Sequence, residues 1–207
     1  MSAFFPRFVC VITMALEVAI ASLAAKEIKY EPRAGDIFFQ SLPRNAVVDA
    51  IEGATGSPYS HCGILVKNGS EWHILEALGT VRWMPLKLWI NRGRGGKFDV
   101  FRLKAEHQFS VPKFIAAARK YEGRPYDIRY RMDDEKIYCS ELIYKAFRDA
   151  TGAKLGKLVK LGSLDWGAHE ATIIAIEGSL PLEREMITPR DLARAEAIEK
   201  VYRSSGK

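Results

Sequence analysis

The chain has 207 residues, 48% of them hydrophobic and 27% charged. That composition suits one globular domain with a sizeable core and excludes disordered, collagen-like and low-complexity classes; no internal repeat is visible. The formal net charge of +6 favours an anionic surface, such as cell-wall polymer or acidic lipid, but no Lys/Arg run with interleaved aromatics occurs, so nucleic acid is not expected as a partner.

The first 25 residues differ from the rest. Arg7 precedes the apolar run FVCVITMALEVAIASLAA, which ends in small residues, with Ser22 and Ala24 spaced as at a signal-peptidase site. The pattern predicts a secretory signal over 1–25, cut after Ala24 or Ala25. It predicts a single exported domain over 26–207, in the periplasm or cell envelope. Glu17 inside the run is atypical of a signal. An uncleaved membrane anchor is the alternative, although a run of this length barely spans a bilayer.

Downstream, EPRAGDIFFQ predicts a turn and a short strand over Asp36–Gln40. SLPRNAVVDAIEGATGSPYS predicts a short helix over Ala46–Glu52, then a Gly/Ser/Pro loop. In HCGILVKNGSEWHILEA, two β-rich apolar runs flank Asn68-Gly69, the strongest two-residue hairpin signal. TVRWMPLKLWINRG predicts a strand and a helical turn, and KFDVFRL a strand over Lys97–Leu103. SVPKFIAAARKYEG has Ser110 as cap, Pro112 in the first turn and Gly123 beyond the last, hence a helix. RPYDIRY reads as strand or extended chain. CSELIYKAFRDATG places Leu142, Ile143, Ala146 and Phe147 at helical spacing and stops at Gly152. Residues 153–187 read as loop-rich with one apolar run, ATIIAIE. ITPRDLARAEAIEKVY, with Thr188 as cap and Pro189 at the first helical position, predicts a terminal helix. Helices around hairpin-linked strands give an α+β fold with an antiparallel sheet.

If Asn68-Gly69 forms the turn, Lys67 faces Ser70, Val66 faces Glu71, and His61 falls opposite Glu76. Cross-strand partners share a face, with Cβ atoms about 5 Å apart. That face also holds Gly63, Leu65, Trp72 and Ile74; Cys62, Ile64, Val66, His73 and Leu75 point the other way. An imidazole beside a carboxylate is the base-and-orienter half of a nucleophilic triad, with Glu76 holding the tautomer of His61 and stabilising its charged form. It is equally an ordinary cross-strand pair on a half-buried sheet, and a one-residue slip of register would abolish it.

Cys10 leaves with the expected signal, so Cys62 and Cys139 remain. Cys139 opens a helix, where the dipole and free backbone N–H groups favour a thiolate, and the same groups can hold an oxyanion. A buried structural cysteine is the commoner fate of a lone thiol. The polar flanks MDDEK and Ser140-Glu141 weigh against that. Cys62 adjoins His61 on one strand and is expected to point away as a small core residue, which also disfavours a Cys62–Cys139 disulfide. The histidines and cysteines show no C-x-x-C or H-E-x-x-H spacing, so neither metal nor cofactor is expected. Trp72, Trp83 and Trp89 are expected in the core, with a lipid-facing cluster as the alternative.

GRPYD followed by YCSELIYKAF resembles the NlpC-type papain-like cysteine hydrolases, in which a G-x-P-Y segment precedes a Cys-Ser motif that opens a helix. In that superfamily the cysteine normally precedes the histidine. Here YSHCGIL and HILEA come first. With GDIFF ahead and ITPRDLA behind, the order resembles the circularly permuted YiiX/YaeF-like branch over roughly residues 33–195. The resemblance implies a permuted papain-like fold, with Cys139 as nucleophile, His61 as general base and acid, and Glu76 as its orienter. It places Tyr126 in the cleft or at the oxyanion, core packing being the alternative, and makes Asp127 as readily a structural turn residue as a site residue. It implies cleavage of an amide or ester bond in a cell-envelope substrate, peptide or lipid-like, through a Cys139 acyl-enzyme. A lipid acyltransferase and a non-catalytic envelope-binding module are the competing functions.

Overall fold

Residues 30–206 are described by a computed structural model; the expected signal or anchor lies outside them. From Pro32 onward the chain forms one compact unit. Its strands are β1 (Ile37–Gln40), β2 (His61–Asn68), β3 (Glu71–Leu78), β4 (Thr80–Pro85), β5 (Phe98–Leu103), the two-residue β6 (Val159–Lys160) and β7 (Glu185–Met186), and β8 (Ile198–Arg203). Six of them form one antiparallel sheet in the order β4-β3-β2-β1-β5-β8, and β6 pairs with β7 separately. The helices are α1 (Ala46–Thr55), α2 (Leu86–Arg92), α3 (Val111–Arg119), α4 (Cys139–Thr151), α5 (Glu170–Glu177) and α6 (Pro189–Ala193). The α+β class and the antiparallel sheet are those expected.

The alternation of β1 to β3 gives the sheet two apolar faces. On one, Ile37, Phe39, Cys62, Ile64, Val66, Leu75 and Ala77 join a core shared with α3 and α4. The stripe Leu142, Ile143, Ala146 and Phe147 is fully buried there, as its spacing predicts, at roughly 1.5–3 kcal/mol per large side chain. On the other face α2 docks through Trp89, which is fully buried. Its ring meets Phe38 edge-on at 5.7 Å, and Phe38 stacks on Phe98 at 5.3 Å. Of the other expected core tryptophans, Trp83 packs against the core under the Arg119 guanidinium at 5.3 Å. Trp72 is only half-buried, with the Lys67 ammonium 5.4 Å from its ring.

The hairpin forms, but its turn lies one residue further on. Asn68 pairs with Glu71 and Ile64 with Leu75, leaving Gly69-Ser70 as the loop. Only Gly69 takes a positive φ, +59°, as a turn with Gly at its first central position requires. Moving the loop by one residue shifts every partner by two, which preserves the faces. His61 therefore stays on the face of Glu76, but diagonal to it. Gly63 makes the diagonal reach work: a Cβ there would come within 2.3 Å of Ile74 Cγ2 and 3.4 Å of Glu76 Cβ.

Four other expectations are corrected. The predicted terminal helix ends at Ala193, and Ile198–Arg203 becomes β8, because pairing with the β5 edge satisfies its backbone and outweighs helix propensity. RPYDIRY is loop with a single bridge, Pro125 to Thr80. ATIIAIE lies within α5 rather than in a loop. At α3 the Ser110 hydroxyl does not cap the helix but donates to the His107 carbonyl at 2.6 Å.

Gly63→Ala should overpack this contact. Such insertions cost about 1–3 kcal/mol, so the melting temperature should fall by several degrees in thermal denaturation, whereas Gly167→Ala, with nothing near its Cβ position, should leave it nearly unchanged.

Candidate active site

His61 is the first residue of β2 and is fully buried, as is Glu76 in β3. Its Nε2 lies 2.6 Å from Glu76 Oε2. The hydrogen bond between the two predicted partners is therefore present despite the shifted register. Using Nε2 for Glu76 leaves Nδ1 as the remaining ring nitrogen, and the imidazole lies close enough to the Cys139 sulfur for each to bias the other's protonation. The Trp89 ring stands beside the imidazole at 6.0 Å.

A buried carboxylate needs a compensating charge. Arg92, in the last turn of α2, donates from Nη1 to Glu76 Oε1 at 2.9 Å and from Nη2 to Oε2. The half-exposed Arg82 adds a longer contact at 3.4 Å. Arg92 was not among the residues singled out from sequence. One signal was available: it lies three residues after Trp89, on the same face of a helix whose apolar anchor points at the sheet.

These contacts set the protonation of the site. Burial opposes the charge on Glu76, but the hydrogen bonds from His61 and Arg92 outweigh it and hold the carboxyl at about 2. Burial also opposes the imidazolium, yet the hydrogen bonds to Cys139 and Glu76 push His61 up to about 9. The Cys139 thiol is pushed well below its ordinary value, first by the adjacent Cys62 thiol, and then, against burial, by His61 and the Cys62 backbone. Burial and the neighbouring Cys139 raise Cys62, so it stays a thiol and a donor.

The expectation that Cys62 points away from Cys139 is thus corrected. Cys62 does face the core, but Cys139, at the first turn of α4, sits on that core side at the end of β2. His61 reaches the same sulfur because it occupies the strand terminus. Both cysteines are free thiols.

Of the two polar flanks, residues 133–136 ahead of Cys139 are exposed, whereas Ser140 and Glu141 at the start of α4 are buried. Ser140 Oγ donates to the Ile187 carbonyl at 2.8 Å, and the Ile187 N–H donates to the Tyr138 hydroxyl at 3.0 Å. Glu141 accepts from the Tyr138 N–H at 3.2 Å and pairs with Lys145 at 2.7 Å. Burial nevertheless raises Glu141 to about 7. Asp127 proves to be a turn residue: its carboxylate accepts from the N–H groups of Arg129 and Arg131. Tyr126 lies half-buried nearby, its hydroxyl 3.2 Å from that of Tyr130.

Cys139 also opens on a cavity of about 100 Å³ between α1 and α5, lined almost wholly by apolar atoms, among them those of Ile51, Leu164, Ile173 and Met186. At about 10–15 Å³ per water-sized group, it has room for several methylenes. Sequence reading did not find it, because its walls come from helices remote in the chain.

Residues 31–202 match the family described as permuted papain-like amidase enzyme, YaeF/YiiX, C92 family. The chain belongs to this family. It is 34% identical over 179 residues to the uncharacterized protein YiiX of Escherichia coli K12, covering 83% of this chain and 87% of that protein. It also resembles the crystal structure of yiiX from Escherichia coli O157:H7, described as a metalloprotein, with a TM-score of 0.80 and 33% identity over 84% of this chain and 99% of the other. The permuted papain-like fold follows, with the strand that begins at His61 ahead of the helix that opens with cysteine. As to the metal in that description, no group of three or more His, Cys, Asp or Glu side chains converges as a metal site among the described residues. The nearest donors are already engaged, His61 by Glu76 and Glu76 by Arg92. The described residues do not fit a metal.

Two measurements test this electrostatic reading. Cys139 should react with iodoacetamide at a nearly constant rate from about pH 6 to 8, where an ordinary thiol loses about tenfold per unit. Cys62→Ala should move that profile to higher pH, and Cys62→Ser, which keeps a donor, should largely restore it. Urea unfolding gives the linkage. Between about 6.5 and 9 the folded chain keeps a proton on His61 and lacks one on Cys139, while the unfolded chain does the reverse, so the two slopes cancel. Glu76, held at about 2 against 4.5, contributes stability present above 4.5 and lost as pH falls toward 2. The stability difference between wild type and Glu76→Gln should therefore shrink below pH 4.5.

Proposed function

We propose that the protein is a thiol hydrolase that cleaves an amide or ester bond through a Cys139 acyl-enzyme. The contact of Cys139 with His61, itself bonded to Glu76, carries the reading. The thiolate attacks the carbonyl carbon and the carbonyl oxygen becomes an oxyanion. The His61 imidazolium gives its proton to the departing nitrogen or oxygen, and a thioester remains. Neutral His61 then takes a proton from water, hydroxide attacks the thioester, and the acid leaves as Cys139 returns to thiolate and His61 to imidazolium. Glu76 and Arg92 keep the base oriented and the buried charge balanced. The N–H of Cys139, in the first turn of α4, is a donor for the oxyanion.

The cavity beside Cys139 supports an apolar acyl group, and so favours the lipid-like half of the substrate range over a polar peptide. A cell-envelope location is supported by the apolar run near the N-terminus and by the net charge of +6, which suits an anionic surface. No described helix is long and apolar enough to cross a membrane. The same cavity also suits a lipid acyltransferase, in which an alcohol or amine replaces water in the second step.

p-Nitrophenyl esters of graded chain length provide the test. Wild type should release nitrophenol in a burst and then turn over, and Cys139→Ala or His61→Ala should lose on the order of 10³-fold or more in kcat/KM. Octanoate should be preferred over acetate, and Ile173→Trp, which fills the cavity, should remove that preference while sparing acetate. Full activity in Cys139→Ala would sink the acyl-enzyme. Product analysis with added glycerol separates the two enzymes: free acid marks a hydrolase, acyl-glycerol an acyltransferase.

A further inference from the structure

Tyr130 is the one non-glycine among the described residues with a positive φ, +52°. That conformation costs a residue with a Cβ about 1–2 kcal/mol. The surrounding turn enforces it: the Asp127 carboxylate accepts the N–H of Arg129 at 2.9 Å and of Arg131 at 2.6 Å, one on either side of Tyr130. The distortion sets the phenol in a particular place. Its ring lies edge-on to that of Tyr138, the residue before Cys139, with centroids 5.0 Å apart. It lines the apolar cavity together with Cys139 and Ser140, which Tyr126 does not. Its hydroxyl meets that of Tyr126 at 3.2 Å.

Two hydroxyls joined by one hydrogen bond hold two hydrogens, use one between them and keep one to donate. Since Tyr130 is the member that borders the cavity, the free O–H belongs there if Tyr126 donates to Tyr130. Burial raises both phenols, and the charge of Cys139 adds to it, so both keep their hydrogens at any working pH.

We propose that Tyr130 is a further catalytic residue, whose hydroxyl, oriented by Tyr126, donates to the carbonyl oxygen of the acyl group as Cys139 attacks it. This rests on the acyl-enzyme reading above. No proton changes owner: the hydrogen bond strengthens as the oxygen gains negative charge, and it adds to the Cys139 N–H. Tyr126, which the G-x-P-Y resemblance places in the cleft or at the oxyanion, becomes the positioning residue that supplies the second hydroxyl.

The experiment measures kcat and KM for p-nitrophenyl octanoate beside the iodoacetamide reactivity of Cys139. Tyr130→Phe should lower kcat by about 10–100-fold with KM changed less than about threefold, since the donor acts on the transition state. Cys139 should alkylate as in wild type. Tyr126→Phe should lose less, and the double variant no more than Tyr130→Phe alone. Tyr130→Asn, which tolerates the positive φ, should match the kcat loss and serves where the phenylalanine variant folds poorly. Wild-type kcat in Tyr130→Phe, a larger loss in Tyr126→Phe, or a parallel loss of alkylation would each overturn the assignment, the last by showing a structural effect. Hydrolysis that survives Cys139→Ala would instead overturn the acyl-enzyme on which it rests.

Discussion

Every part of the site depends on making a buried charge tolerable at Glu76. An isolated carboxylate in such a place costs several kcal/mol, and a proton from His61 alone does not solve the problem. If His61 is charged and Cys139 is a thiolate, three groups carry one positive and two negative charges. Arg92 supplies the missing positive charge. The quartet Arg92, Glu76, His61 and Cys139 is then neutral as a whole, and Arg92, Glu76 and His61 are joined by hydrogen bonds. This explains why α2 crosses the sheet face with Trp89 buried: the apolar anchor fixes the helix so that the guanidinium arrives at the carboxylate. A substitution that leaves the triad intact but displaces α2 acts on the site through this charge balance.

The sulfur end is governed by a different constraint. A thiolate at a helix start is stabilised only if the helix start itself is fixed. Ile187 does this from across the chain, accepting from Ser140 and donating to Tyr138. Glu141 ties the first turn to Lys145, which in turn bonds the Asp134 carboxylate at 2.7 Å. Cys139 is thus positioned by segments on both sides of it in sequence, 133–134 and 187. The His61–Glu76 pair comes from residues 61–76. In this permuted order the functional groups meet only after the sheet, α4 and the segment before α6 have all assembled.

Much of this was legible in the residues. The alternation of β2 and β3 put His61 and Glu76 on one face, and that survived an error in the turn because a two-residue shift keeps side-chain parity. The helical spacing of Leu142, Ile143, Ala146 and Phe147 placed Cys139 at a helix start. The failures have physical causes. Face parity predicted Cys62 away from Cys139, but parity ceases to separate neighbours at a strand end, where His61 can turn toward the same sulfur. The stretch before Tyr202 has a good helix cap, yet the chain leaves the helix after Ala193 and pairs with the otherwise free edge of β5, a tertiary partner distant in sequence. Arg92, Tyr130 and the cavity were missed because each matters only through tertiary neighbours that no local pattern names.

The arrangement around Cys139 also has a direction. The apolar cavity is bordered by Cys139, Ser140 and Tyr130, and His61 is not among its walls. Its rim is closed by Arg184, which donates to the Arg129 carbonyl and pairs with Glu177, so α5 is tied to the turn that carries Tyr130. An acyl chain in this cavity places the carbonyl carbon at the sulfur with the chain on one side and the scissile bond on the other. In the proposed reaction the departing nitrogen or oxygen then lies toward His61, the group proposed to protonate it, and the polar part of the substrate projects away from the apolar pocket. The reverse orientation would bring a polar leaving group into a cavity with almost no polar atoms to receive it, at a cost of a few kcal/mol for each hydrogen bond left unmade. If the proposed acyl-enzyme forms, polarity of the two sides selects which half of the substrate is retained on sulfur, and that choice requires no contact beyond those that build the site.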